Sequence, residues 1–262
     1  MITTARMKLS FHRERSVTAP TAATQADFPS LSGAEIAGMV QGERVGGDLY
    51  HFLRANRRRV IFGLLDVAGR REENQGIVEA ARQTFQEIGG HRFAYEEINE
   101  ADAMMEFCLE LNLSIRRAAA GVRSCAAFLG CYNEELGTIC YVNAGHTPGL
   151  LRDPSGITEL PATGLPLGLF AASTYEAPTA ALQAGASLLL VSRGVVEAAS
   201  RKEEFGLHRV KQQFQDAPSE NASRITGAIL QAVGQFQAAG RRHNDMTALA
   251  LVRQQRGAVA VA

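Results

Sequence analysis

The chain has 262 residues, 46% hydrophobic and 21% charged, which is enough to bury a sizeable core as one large or two small domains. Lys plus Arg and Asp plus Glu each number 27, so the formal net charge is zero and the basic excess of a nucleic-acid-binding surface is excluded. No apolar run is long enough to span a bilayer, and the first residues lack the apolar core of a signal peptide, so no membrane role is expected.

Residues 1–33 mix Arg, Thr, Ser, Ala and Pro without periodicity and read as a flexible leader or linker, mildly basic through Arg6, Lys8, Arg13 and Arg15. Order is expected from Ala34, with a strand over Ala34–Val40 that leads to Gly46-Gly47-Asp48. Two aliphatic runs, 48–54 and 59–67, flank the polar turn Arg54-Ala55-Asn56-Arg57 and predict a hairpin. Its geometry sets Asp48 and Asp66 side by side on one rim of the sheet. Paired carboxylates repel unless a proton or a cation sits between them. Gly46 and Gly47, lacking Cβ atoms, let the backbone approach closely there. Taken alone, this pair is better read as an ordinary hairpin with solvated ends.

Ile77, Ala81, Phe85 and Ile88 recur at helical spacing, and Gly89-Gly90 is expected to end that helix. A second helix covers about 96–120, with Met104, Phe107, Cys108, Leu111, Ile115 and Ala118 as its apolar stripe, and the two should pack antiparallel on a sheet. Ser124–Tyr132 and Thr138–Asn143 flank a Gly-containing loop and predict a second hairpin. Asn143–Leu151, a Pro154-Ser155-Gly156 turn and the Gly- and Pro-rich loop 163–169 follow. Ser187–Val191 is a buried strand, then a short helix over Val195–Ser200, helices near 206–216 and 221–239, and a last strand over Met246–Val252. Segregated strands and helices predict an α+β sandwich with one domain over 34–252 and a tail over 253–262. Cys108, Cys125, Cys131 and Cys140 show no CxxC spacing and sit among apolar residues, which fits buried free thiols in a reducing cytoplasm.

Six separated motifs then agree in order and spacing. Val45-Gly46-Gly47-Asp48-Leu49-Tyr50 resembles the VGGDxYD signature of the metal-dependent protein phosphatases (PPM, or type 2C), in their bacterial SpoIIE-like branch. Asp66-Val67-Ala68-Gly69 is similar to that branch's DVxGHG, Asn143–Pro148 to NAGHxP and Gly164–Gly168 to GxPLG. Ser192–Ala198 stands where the branch has TDGVxEA, and Asn244–Thr247 where it has DDxT. The resemblance implies a four-layer α-β-β-α sandwich of two antiparallel sheets flanked by helix pairs. It also implies two manganese or magnesium ions at one end, which take oxygen ligands and activate a water against phosphoserine or phosphothreonine.

Carried over residue by residue, the resemblance gives Asp66 as the bridging aspartate, the Val67 carbonyl as the adjoining ligand and Asp48 as a direct or water-mediated ligand. Two expected carboxylates are replaced, by Arg193 and Asn244, both at one metal position; Asp245 matches the non-ligand member of its pair. Arg70 and Arg71 replace a His-Gly, and His51 replaces an Asp. Gly47, Gly69, Arg70, His146 and Gly194 line the site. A guanidinium cannot ligate a cation and repels one. Arg193 is therefore expected to pair with Asp48 or Asp66 in place of the metal; the alternative has Arg193 in solvent and Asp245 swung in as a ligand. His146 is read as structural rather than a general acid, and Glu197 as a surface or capping group. At most one manganese or magnesium ion, weakly held, or none at all, is expected.

Two functions follow from the resemblance. One is a pseudophosphatase that binds a phosphoserine protein, such as an anti-sigma-factor antagonist or a stressosome-like protein, without hydrolysis. The other is an active phosphatase with a weakened or single-metal site. The resemblance is compatible with a homodimer.

Overall fold

A strand turns alternate side chains to opposite faces, and the nine-residue strand β4 (Arg59–Val67) buries both. In the computed structural model, which describes residues 21–22, 29–42, 47–67, 71–120, 123–200, 203–237 and 245–255, β4 lies inside a sheet ordered β3-β4-β5-β6-β9. Its neighbours are β3 (Leu49–Arg54), β5 (Cys125–Asn133), β6 (Thr138–Ala144) and β9 (Thr179–Ala181). The second sheet runs β1-β2-β13-β10-β7-β8, from β1 (Thr21–Ala22), β2 (Ala34–Gln41), β7 (Gly149–Asp153), β8 (Gly156–Leu160), β10 (Ser187–Val191) and β13 (Met246–Arg253). β11 (Ala199–Ser200) and β12 (Glu203–Glu204) form a small separate hairpin. Every named strand pairing is antiparallel.

Ile61, Leu65 and Val67 of β4 face one pair of helices, α1 (Arg71–Thr84) and α3 (Glu100–Ala118). Phe62 and Leu64 face the other sheet, where they meet Leu188, Leu190, Leu249 and Leu251. The remaining face of that second sheet is covered by α5 (Gly206–Asp216) and α6 (Ala222–Phe236). The layers are therefore helix pair, sheet, sheet, helix pair, as the motif resemblance implies. Among the described residues no helix is long and apolar enough to cross a membrane.

Three local expectations need correction. Gly89-Gly90 does not end the first helix: α1 continues through a π-helical turn, Phe85–Gly89, into α2 (Gly90–Arg92). Both glycines keep right-handed helical angles, and a Cβ on Gly89 would lie 3.3 Å from the Phe107 ring, so this glycine serves helix packing. The helix read over Val195–Ser200 is instead α4 (Arg193–Val196), followed by β11. Ala118 is exposed and Ala119 takes the buried position at that end of the α3 stripe. Strand pairing also reaches into the stretch read as a leader, since Thr21 and Ala22 pair with Val40 and Met39. The four cysteines are buried and free, as read.

The inter-sheet layer is tight where β5 pairs with β4 and Gly130 stands opposite Phe62. A Cβ on Gly130 would fall 2.3 Å from the fully buried Phe62 ring, whereas one on Gly227 of α6 would meet nothing within 4 Å. Gly130→Ala should therefore lose about 1–3 kcal/mol by overpacking, and Gly227→Ala should gain up to about 1 kcal/mol through helix propensity. Chemical denaturation of the two variants checks the pair; equal effects would contradict this packing.

Candidate functional site

The inward rows of four strands end in polar residues at the same end of the sandwich. Phe62 and Leu64 are followed at the same alternation by Asp66; Phe52 and Tyr50 by Asp48; Leu188 and Leu190 by Ser192; Leu251 and Leu249 by Thr247. The hairpin register pairs Leu49 with Leu65, so Asp48 and Asp66 stand opposite each other one step beyond the ladder. The rim read from the hairpin is thus present.

Asp48 is tied across the gap between the sheets. Thr247 Oγ1 donates to Asp48 Oδ2 at 2.7 Å, and Ser192 Oγ accepts the Thr247 backbone N–H at 3.0 Å. Burial, and then the neighbouring Asp66 carboxylate, push the Asp48 carboxyl up to about 7, while hydrogen bonds from Thr247 and Ser192 oppose the rise and Asp245 adds to it. Asp245 is buried just before β13, and a Cβ on Gly42 would lie 2.6 Å from its Oδ1.

Asp66 meets Arg193 chiefly through the main chain. The Arg193 backbone N–H donates to Asp66 Oδ2 at 3.2 Å, at the first turn of α4. The guanidinium is 55% exposed, with Nε 3.8 Å from Asp66 Oδ2 and 3.7 Å from Glu197 Oε1. The expected ion pair exists, but it is long, shared and half in solvent. Such a pair contributes about 0–1 kcal/mol. Arg193 reaches Asp66, and no ion pair joins it to Asp48. Glu197 is exposed, as read.

Gly47 is pressed against the end of β4: a Cβ there would lie 2.7 Å from Val67 Cβ and 3.0 Å from its carbonyl oxygen. That carbonyl accepts from Asn74 Nδ2 at 3.2 Å, and Asn74 Oδ1 accepts from Arg123 Nη1 at 2.9 Å. His51 lies on the opposite face of β3, its ring edge-on to Phe85 at 4.9 Å, away from the rim. Gly194 is buried in α4. Asn244, Gly46, Gly69 and Arg70 lie outside the described residues, as does the side chain of Arg71.

His146 is held as a structural residue would be. Asn143 Oδ1 accepts its backbone N–H at 2.8 Å, and Gly145 takes φ +68° where a Cβ would strike Pro166 at 2.6 Å. The imidazole is buried, which pushes its pKa below the ordinary histidine value. It lines a pocket of about 240 Å³ with Asp66, Ser124, Ala126, Pro166 and Arg193. Thr247, Ser192, Asn74 and Arg123 escaped the sequence reading. The first two sit inside quoted motifs and continue apolar alternations, a signal that could have found them; Asn74 and Arg123 meet across 49 residues and left none.

The metal fit can be tested on this donor set. Asp48, Asp66 and the Val67 carbonyl offer oxygens, but among the described residues no three or more His, Cys, Asp or Glu side chains group to hold a metal ion. Arg193 adds positive charge beside them. The residues described do not fit a two-cation centre.

A family model for stage II sporulation protein E (SpoIIE) matches residues 56–254, most of the chain. The chain belongs to the SpoIIE family. It is 24% identical over 234 residues to the phosphoserine phosphatase RsbP of Bacillus subtilis (strain 168), covering 89% of this chain and 54% of that protein. The chain thus spans about half the length of this curated relative. Its fold is similar to the RsbU and RsbW domains of Rv1364c from Mycobacterium tuberculosis, with TM-score 0.70 and 19% identity over 87% of this chain and 63% of that one. The PP2C phosphatase domain of SpoIIE from Bacillus subtilis, solved with a fragment of its regulatory domain, gives TM-score 0.67 and 16% identity, covering 86% and 64%. A more distant likeness, the catalytic domain of the phosphatase PstP in complex with 2 manganese ions, gives TM-score 0.57 and 11% identity, covering 84% and 97%. At these identities the solved structures establish the fold alone.

Two outcomes follow for the SpoIIE-family rim. The folded Asp48 carboxyl titrates above its unfolded value, so its ionisation costs stability as pH rises from about 4 to about 7. In chelator, Asp48→Asn should therefore gain about 1–3 kcal/mol relative to the parent on going from pH 4 to pH 8; parallel stability curves would contradict the buried carboxyl. Arg193→Ala should change stability by less than about 1 kcal/mol, which thermal unfolding at two salt concentrations checks.

Proposed function

We propose that residues 34–252 act as a pseudophosphatase module, which docks a protein partner at the Asp48–Asp66 rim and leaves its phosphoester intact. The observation that carries this reading is Arg193, at a position where the family motif has a carboxylate, with its guanidinium 3.8 Å from Asp66. A cation there would meet a positive charge instead of a ligand. The kinship with RsbP and with the RsbU and RsbW domains supports a partner from sigma-factor regulation, an anti-sigma antagonist or a stressosome-like protein. Reduced buried thiols support a cytoplasmic setting.

The rim also carries an apolar lip suited to a protein partner. Leu165, Leu169 and Phe170 are 53%, 43% and 53% exposed on the loop that contributes Pro166 to the pocket. That loop is firmly held: Leu167 and Cys125 exchange two backbone hydrogen bonds of 2.8 Å, and Asn112 binds the Gly168 N–H and the Phe170 carbonyl at 2.7 and 3.0 Å. Three large apolar side chains exposed on one fixed loop support a protein-interaction surface there.

One observation favours the rival reading, an active phosphatase with one weakly held manganese or magnesium ion. Asp48 and Asp66 repel each other, and a cation between them would relieve that repulsion. The two readings separate in one experiment. Calorimetric titration with manganese, paired with a phosphoserine-peptide hydrolysis assay, should show at most one weak site and no manganese-dependent turnover. Arg193→Asp with Asn244→Asp should restore a cation site, seen as a rise in melting temperature on adding manganese. Two tight sites or brisk turnover in the unmodified protein would overturn the pseudophosphatase reading.

A further inference from the structure

Each of the three groups that the motif resemblance offers to a cation is engaged by a donor from the chain itself. Thr247 Oγ1 donates to Asp48 at 2.7 Å, the Arg193 N–H donates to Asp66 at 3.2 Å, and Asn74 Nδ2 donates to the Val67 carbonyl at 3.2 Å. Thr247 and Arg193 belong to the motif segments. Asn74 does not: it sits near the start of α1 and is fully buried.

The Asn74 amide has one orientation open to it. Arg123 Nη1 donates to Asn74 Oδ1 at 2.9 Å, and a guanidinium has no lone pair with which to accept. The Val67 carbonyl, in turn, has no hydrogen to give. Oδ1 must therefore face Arg123 and Nδ2 must face Val67, since the flipped amide would set donor against donor and acceptor against acceptor. Arg123 Nη2 is held by the Glu73 carboxylate, one residue before Asn74. Gly47 crowds the same carbonyl: a Cβ there would lie 2.8 Å from Asn74 Nδ2 and 3.0 Å from the Val67 oxygen. The amide is thus wedged between the Gly47–Asp48 segment and the end of β4.

We propose that Asn74, oriented by Arg123, is a built-in substitute for a cation at the Val67 carbonyl, so that the rim takes its shape without metal. A cation at that oxygen would satisfy its lone pair and fix the end of β4. The amide does both, and the chain of bonds from guanidinium to amide to carbonyl polarises each member in turn. Asn74 and Arg123 are positioning residues, acting on the rim through the Val67 carbonyl. The assignment deepens the pseudophosphatase reading: a rim fixed from within keeps its docking shape in the absence of divalent ions.

The test uses the full chain in chelator at pH 7, labelled with 13C and 15N. NMR reads the Val67 carbonyl resonance, the coupling through the hydrogen bond from the Asn74 side-chain nitrogen to the Val67 carbonyl carbon, and amide exchange at Gly47, Asp48 and Val67. The coupling should be present with no divalent ion added. Asn74→Asp keeps the shape of the side chain and its contact with Arg123, which holds the new carboxylate ionised, and removes only the donor. It should move the Val67 carbonyl upfield and speed exchange at the three amides about tenfold or more. Arg123→Met should weaken the coupling by freeing the amide to turn, and Arg123→Lys, again donor-only, should recover it. Absence of the coupling in the parent, or an Asn74→Asp variant with the parent's carbonyl shift and exchange, would overturn the assignment. A separate arm adds magnesium and a phosphoserine peptide. Loss of the coupling without hydrolysis would bring down the substitute assignment alone. Hydrolysis with the coupling intact would bring down the pseudophosphatase reading alone, and loss with hydrolysis would bring down both.

Discussion

Alternation along the central strands is the constraint on which the rest of this structure depends. Two stacked sheets require every inward row to be apolar for the length of the shared layer, and each row must end where the layer ends. Here the rows of β3, β4, β10 and β13 end in Asp48, Asp66, Ser192 and Thr247, residues brought together from opposite sheets. Large side chains along each row, Phe62, Phe128 and Leu190 among them, leave no room for solvent until the final position. The site is the place where the core stops, and its burial is inherited from the packing behind it.

That inheritance explains the unequal treatment of the two carboxylates. Asp48 belongs to the edge strand β3 and faces Thr247 of the other sheet, so its position depends on the sheets staying stacked. Burial acts on it more strongly than any neighbouring charge, and the carboxyl rises accordingly. Asp66 lies one strand further in, yet the end of its row opens toward α4, whose first N–H it accepts. An arginine at position 193 therefore changes the charge near Asp66 while leaving the main-chain contact in place. The backbone can keep a phosphatase-like outline when the side-chain chemistry has changed, and this is why fold and activity must be argued separately here.

Most of the architecture was legible because it depends on short-range patterns. The period-two runs around Arg54–Arg57 and the unbroken Leu188–Leu190 stretch are strand signals that no competing tertiary contact overrides. The layer order came from the motif resemblance, whereas the rim, with Asp48 opposite Asp66, needed only hairpin register. Gly89-Gly90 misled because a glycine that allows a helix to touch Phe107 looks, in sequence, the same as one that stops a helix. The identity of Arg193 was plain, but its reach was not: whether a guanidinium at the end of a strand lies in the gap or over it is decided by where α4 begins. Asn74 and Arg123, joined between a helix and a distant loop, leave no periodic trace at all.

His146 shows how a residue can be structural and chemically pointed at once. Its backbone is fixed by Asn143 and its Nδ1 by Thr147, so nothing about the ring is free to adjust. Thr147 is itself committed, since its hydroxyl is spent on Val191 at the end of β10. The chain of donors runs from the histidine to the threonine to the strand, each with one hydrogen and one destination. A ring held in that way keeps one tautomer, with Nε2 as its unprotonated nitrogen. A mobile histidine could exchange tautomers; this one has its polarity set by the end of β10. The same strand end leads through Ser192 into α4 and Arg193, so a single turn of chain fixes both the tautomer of the histidine and the place of the cation at the pocket.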